Sequence, residues 1–122
     1  MTQAVLQGVS FAMRDSLEAL RLTGAKLDTI LAIGGGARSS YWVEMLATVL
    51  NLKLELPEQG DFGAALGAAR LAICGVTGAS IEDIMTKPTV DKTIIPNATM
   101  LDAYQLRYDQ FHDNFPAWKT IQ

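Results

Sequence analysis

The sequence predicts an α/β fold with few parallel strands flanked by helices, and three observations carry that expectation. A strand-like run from Leu27 to Ile33 passes through three consecutive glycines, Gly34, Gly35 and Gly36, into a helical pattern that begins near Ser39. A second strand-like segment, Leu52 to Leu56, follows that helix and completes one βαβ unit. The segments before and after the unit read mainly as helices. At 122 residues, 49% apolar and 19% charged, the chain has the length and composition of a single folded unit spanning residues 1–122.

Each element follows from its spacing. Leu6, Val9, Met13, Leu17 and Leu20 recur at helical intervals between Gln3 and Leu22, with Arg14, Asp15, Glu18 and Arg21 on the other side. This predicts a surface helix, stopped by Gly24. Leu27 to Ile33 ends in a branched, nearly continuous apolar run, the pattern of a strand covered on both faces. Tyr41, Trp42, Met45, Leu46, Val49 and Leu50 stripe the second helix, with Ser39 or Ser40 as its N-cap, and LKLEL alternates as a strand. After a loop from Pro57 to Asp61, Phe62 to Cys74 reads as a helix that is apolar almost all round. Its rows Gly63, Gly67 and Ala64, Ala68, Ala72 lack bulk, which suits close packing in an interior. Gly75 and Gly78 end it, Ser80 with Asp83 caps a short helix before Pro88, and Thr89 to Ile95 is extended. Leu101, Tyr104, Tyr108, Phe111 and Phe115 stripe a last helix, with continuation past Pro116 left open. That stripe is an inward face or, in an incomplete domain, an exposed one that drives self-association.

Two strands make a poor sheet, because parallel sheets are normally larger and buried on both faces. Either strands are missing because the chain is part of a longer one, or the sheet edges are covered by another copy or by a rearranged segment. The formal net charge of -3, the pI near 5.0 and the lack of any Lys or Arg run leave no electrostatic footprint for nucleic acid or an anionic membrane. The single cysteine, Cys74, builds no disulfide framework, and the first residues lack a secretory pattern, so the expected compartment is the cytoplasm. Ala64 to Val76, broken by Arg70, is too short to cross a bilayer. The remaining polar residues read structurally: Asp28 and Asp61 cap or turn, and His112 has no second ligand nearby for a metal. Cys74, Met13 and Met45 read as core.

The glycines carry the functional signal. Glycine permits positive φ and lets a ligand lie against the backbone, and a helix start directs unpaired amides and a positive dipole end toward an anion. The string matches neither GxGxxG nor GxxxxGK[ST], and a tight turn with a capping serine is the alternative reading.

IGGGARSSYW, a helix, a strand ending at Leu56 and then DFGAALGAARLA resemble the C-terminal region of the FGGY family of carbohydrate kinases, from about Leu6 to near the C-terminus. The ARSSYW and GAALGAARLA wording is most similar to family members acting on D-xylulose. The resemblance implies a partial actin-like ATPase (ribonuclease H-like) domain: the second half of a C-terminal lobe that carries the adenosine side of an ATP site. Gly34, Gly35 and Gly36 would be the adenosine turn, with Gly35 against the nucleotide. Ala37, Arg38 and Ser39 would continue it, Ser39 standing where related kinases often have an asparagine, and Arg38 bordering the base or a phosphate or else being solvated. The helix from Gly63 to Ala72 would back the site. The resemblance also implies ATP with Mg²⁺ and a sugar as substrates of the full-length enzyme, with the phosphate loop, sugar-binding residues and catalytic aspartate upstream. The chain alone is then expected to be inactive and to bind nucleotide weakly or not at all. Glycerol, gluconate or ribulose kinases, and a non-catalytic dimerising module, are the alternatives.

Overall fold

In the computed structural model, which describes residues 2–58 and 63–119 (side chains of the last helix through Asn114), the first stripe forms α1, Thr2–Leu22. Gly24 ends it at φ +89°, its N–H donating to the Arg21 carbonyl at 2.9 Å. The stripe does not all go inward as its spacing suggested. Ser10, Phe11 and Leu17 are buried, whereas Val9, Met13 and Leu20 stay exposed. The side of α1 that carries Phe11 and Leu17 packs on neighbouring helices, and Met13 and Leu20 border an open groove instead.

β1, Thr29–Leu31, and β2, Lys53–Pro57, run parallel with Ile30 opposite Leu54, and α2, Ser40–Leu50, connects them. β3, Val90–Ile94, then pairs antiparallel with the other edge of β2, Ile94 opposite Leu54. The sheet is therefore three-stranded and mixed, in the order β1-β2-β3, because the extended segment at 89–95 takes up the open edge of β2. β1 departs from the reading of a strand covered on both faces: Thr29 and Leu31 are exposed and Ile30 is half-buried. Among the described residues nothing pairs with its second edge.

α2 is the centre of the packing. Val43, Ala47 and Leu50 recur on one side and meet Leu17, Leu52, Leu54 and Ile94. Met45 and Val49 lie on another and meet Phe11, Tyr104 and Tyr108, so the aromatic face of α5, Leu101–Lys119, points inward. The Phe11 ring centroid lies 6.0 Å from that of Tyr108 and 5.5 Å from that of Phe111; the Phe115 side chain lies outside the described ones. Asn51 closes α2 in the left-handed region at φ +50°, where asparagine is tolerated.

The opposite face of the sheet carries α3, Gly63–Thr77, and α4, Ile81–Ile84; there Lys87 Nζ pairs with Glu55 at 2.9 Å. No residue of α3 is buried, which corrects its assignment to an interior. Little lies beneath it: the Ile33 side chain sits against Gly63, a small half-open cavity separates Leu31 and Pro57 from Leu66 and Gly67, and Leu71 and Val76 are exposed. Gly75 lies within α3, and Gly78, at φ +68°, follows its end. Ser80 caps α4 as expected, accepting from the Asp83 N–H at 3.1 Å. Among the described residues no helix is long and apolar enough to cross a membrane.

Candidate functional site

The chain leaves β1 and turns at Gly34, whose φ of 87° and ψ of 179° belong to a region that only glycine readily occupies. Gly35–Arg38 then wind as a single 3₁₀ turn, held by Ala37 N–H to the Gly34 carbonyl at 3.0 Å and Ser39 N–H to the Gly36 carbonyl at 3.1 Å. The glycines therefore do not run directly into the helix. Ser39, extended at φ -86° and ψ 100°, re-aims the chain and caps α2, its Oγ accepting the Trp42 N–H at 3.3 Å. Of the two candidate serines, Ser39 is the cap and Ser40 the first residue of α2.

The three glycines do three different things. Gly34 supplies the positive φ. Gly35 is exposed, and a Cβ there would meet nothing within 4 Å, so the turn is open on this side. A Cβ on Gly36 would collide with the six-membered ring of the Trp42 indole, which packs directly against the backbone there. Ala37 is half-buried, while Arg38 and Ser39 are exposed at the end of the turn.

A half-open groove of about 570 Å³ runs beside the turn between α1, β1 and α2, lined by Met13, Leu20, Ile30, Gly36, Ala37 and Trp42 among others. That volume is in the range of small-molecule pockets. The lining among the described residues is mainly apolar, with Ser16 at one side and no charged side chain. It suits a flat apolar group and offers no counter-charge to a phosphate, which would have to lie toward the polar end of the turn.

The other candidates lie apart from this site. Asp28 is exposed just before β1, Asp61 falls outside the described residues, and Cys74 is half-buried on α3. His112 is exposed, its Nδ1 3.9 Å from Asp113 Oδ1. No group of three or more His, Cys, Asp or Glu among the described residues could hold a metal ion. The reading from sequence missed the contact behind the turn: Trp42 Nε1–H donates to Ser10 Oγ at 3.2 Å, and Ser10 Oγ–H donates to the Leu6 carbonyl at 2.8 Å. A serine set among the apolar positions of α1 was the available signal.

A strand, a glycine turn open on one side and a helix start, on a sheet whose β1 edge is unpaired among the described residues, make up part of an α/β domain. The profile of the C-terminal domain of the FGGY family of carbohydrate kinases matches residues 1–76, and the chain belongs to that family. It is 38% identical over 112 residues to the xylulose kinase of Escherichia coli (strain K12), covering 91% of this chain and 23% of that protein. It is 35% identical over 114 residues to the L-xylulose/3-keto-L-gulonate kinase of the same organism, covering 91% and 22%. The crystal structure of a xyloylose kinase from Brucella ovis matches with a TM-score of 0.86 at 47% identity, over 99% of this chain and 25% of that one. The α/β architecture is thus part of the actin-like ATPase fold of these kinases. The chain spans about a quarter of the length of the relatives it matches.

Proposed function

We propose that this chain is the adenine-nucleotide side of a xylulose kinase, and that the whole enzyme transfers the γ-phosphoryl group of MgATP to D-xylulose. The observation that carries the reading is the open backbone at Gly35, flanked by a fixed turn at Gly34 and an apolar groove at Gly36 and Ala37. In this role Gly34 sets the bend, Gly35 lets the purine approach the main chain, and Ala37 contributes apolar surface. Arg38 and Ser39 stand at the polar rim, beside the positive end of the α2 dipole. MgATP supplies the electrophilic phosphoryl group, and these residues bind and orient its adenosine end.

The β1 edge, unpaired among the described residues, and the uncovered α3 support the view that the chain is one piece of a larger C-terminal domain. Sugar-binding and catalytic groups then come from the rest of the kinase, and the chain alone turns over no sugar. Its own nucleotide affinity is weak, about millimolar or poorer, because part of a cleft leaves most of the ligand in water.

The test is nucleotide titration of the kinase polypeptide that carries this sequence, against its Gly35→Asp variant. A carboxylate on the open side is expected to weaken ATP and ADP binding about tenfold or more while the KM for the sugar stays unchanged. Unaltered nucleotide affinity in that variant refutes the reading. The β1 edge, which nothing among the described residues pairs, also fits a self-associating module, and a stable dimer of this chain whose nucleotide titration is flat supports that reading instead.

A further inference from the structure

We propose that Trp42 is a positioning residue for the glycine turn, fixing its backbone at Gly36, and that Ser10 of α1 holds the indole in place. The functional consequence rests on the nucleotide reading above; the brace itself rests on contacts. Trp42 grips the turn at both ends. Its ring lies so close to Gly36 that a Cβ could not be inserted between them, and its backbone N–H is held by Ser39 Oγ at 3.3 Å. The indole is itself fixed: Nε1–H donates to Ser10 Oγ at 3.2 Å, and the ring packs against the cluster of Phe11, Met45 and Val49.

Ser10 is fully buried at 0% exposure, on a helix side otherwise filled by Phe11 and Leu17. A hydroxyl bonded only to its own helix would bring no advantage over a small apolar residue there. Its accepting role toward the half-buried indole, 32 residues away in sequence, explains its presence, because an indole N–H turned toward the buried face of α1 without an acceptor is costly. Ser10, Trp42 and Gly36 therefore form a continuous strut from α1 to the turn. A turn held in this way presents its open Gly35 side in one geometry before any ligand arrives, which lowers the ordering cost of binding.

The experiment compares Ser10→Ala, Trp42→Phe and the double variant in the kinase polypeptide. It reads hydrogen exchange at the Ala37 and Ser39 amides without ligand, together with steady-state kinetics for both substrates. Ser10→Ala is expected to speed exchange at those amides and to raise the KM for ATP about three- to tenfold, with kcat and the sugar KM within about twofold. In the Trp42→Phe background the same serine change is expected to add nothing, since its partner is gone. Unchanged exchange in Ser10→Ala and Trp42→Phe overturns the brace, as does an equal rise in both KM values, which would mark a general packing role. Faster exchange with an unmoved ATP KM upholds the strut and overturns the nucleotide assignment of the turn, so the two failures are distinct.

Discussion

The hydroxyl of Tyr108 on α5 donates to Asp15 Oδ1 on α1 at 2.6 Å, and the Arg14 guanidinium carbon lies 4.1 Å from the centroid of the same tyrosine ring. Burial first, and the hydrogen bond to Asp15 second, push the phenol from 10.0 up to about 12. The folded chain thus holds this proton more tightly than the unfolded chain does. Its contribution to stability is complete below pH 10 and is lost as the pH rises through 12. Tyr108→Phe is expected to cost about 1–2 kcal/mol at neutral pH, by removing the donor to a charged acceptor. It should also flatten the decline of the urea midpoint between pH 10 and 12. An alkaline decline identical in the two proteins would place the Tyr108 titration elsewhere.

Gly34 and Gly35 separate backbone geometry from space. A Cβ would meet nothing within 4 Å at either position, but Gly34 has φ +87° and Gly35 has no positive φ. Gly34→Ala is therefore expected to destabilise the chain by about 1–3 kcal/mol through strain alone. Gly35→Ala should stay within about 0.5 kcal/mol of the parent. Chemical denaturation of the two variants measures the difference, and equal costs would mean that the bend is not fixed at Gly34.

Much of this was legible in the sequence wherever the determining contact is local. The 3.6-residue spacing located α1, α2 and α5, and Ser80 announced its own cap, because both signals lie within a few residues. The pairing of β3 was not legible: Thr89 to Ile95 reads as extended, but its partner β2 lies beyond α3 and α4. The stripe on α1 gave a helix and misassigned its burial, since spacing says which residues share a face and not what covers it. At the site, the position of the glycine turn could be read directly. The division of labour among its glycines could not, because it depends on one φ value and on an indole ring brought in by folding.

The sharpest discrepancy, an apolar helix with no buried residue, gives the last prediction. Leu54 on β2 is 1% exposed within the core around α2, whereas Leu71 on α3 is 61% exposed. Removing three carbons from a filled interior costs the transfer energy and leaves a cavity, so Leu54→Ala is expected to destabilise by about 2–5 kcal/mol. Leu71→Ala removes atoms that already meet water and should shift stability by no more than about 0.5 kcal/mol in this chain. If this chain is one piece of a larger domain, as proposed, the same Leu71→Ala change should cost about 1 kcal/mol or more in the whole kinase, where further polypeptide covers α3. Urea midpoints for both variants in both contexts decide it. A Leu71 cost that is the same with and without the rest of the kinase would show that α3 is a solvent-facing helix in its own right.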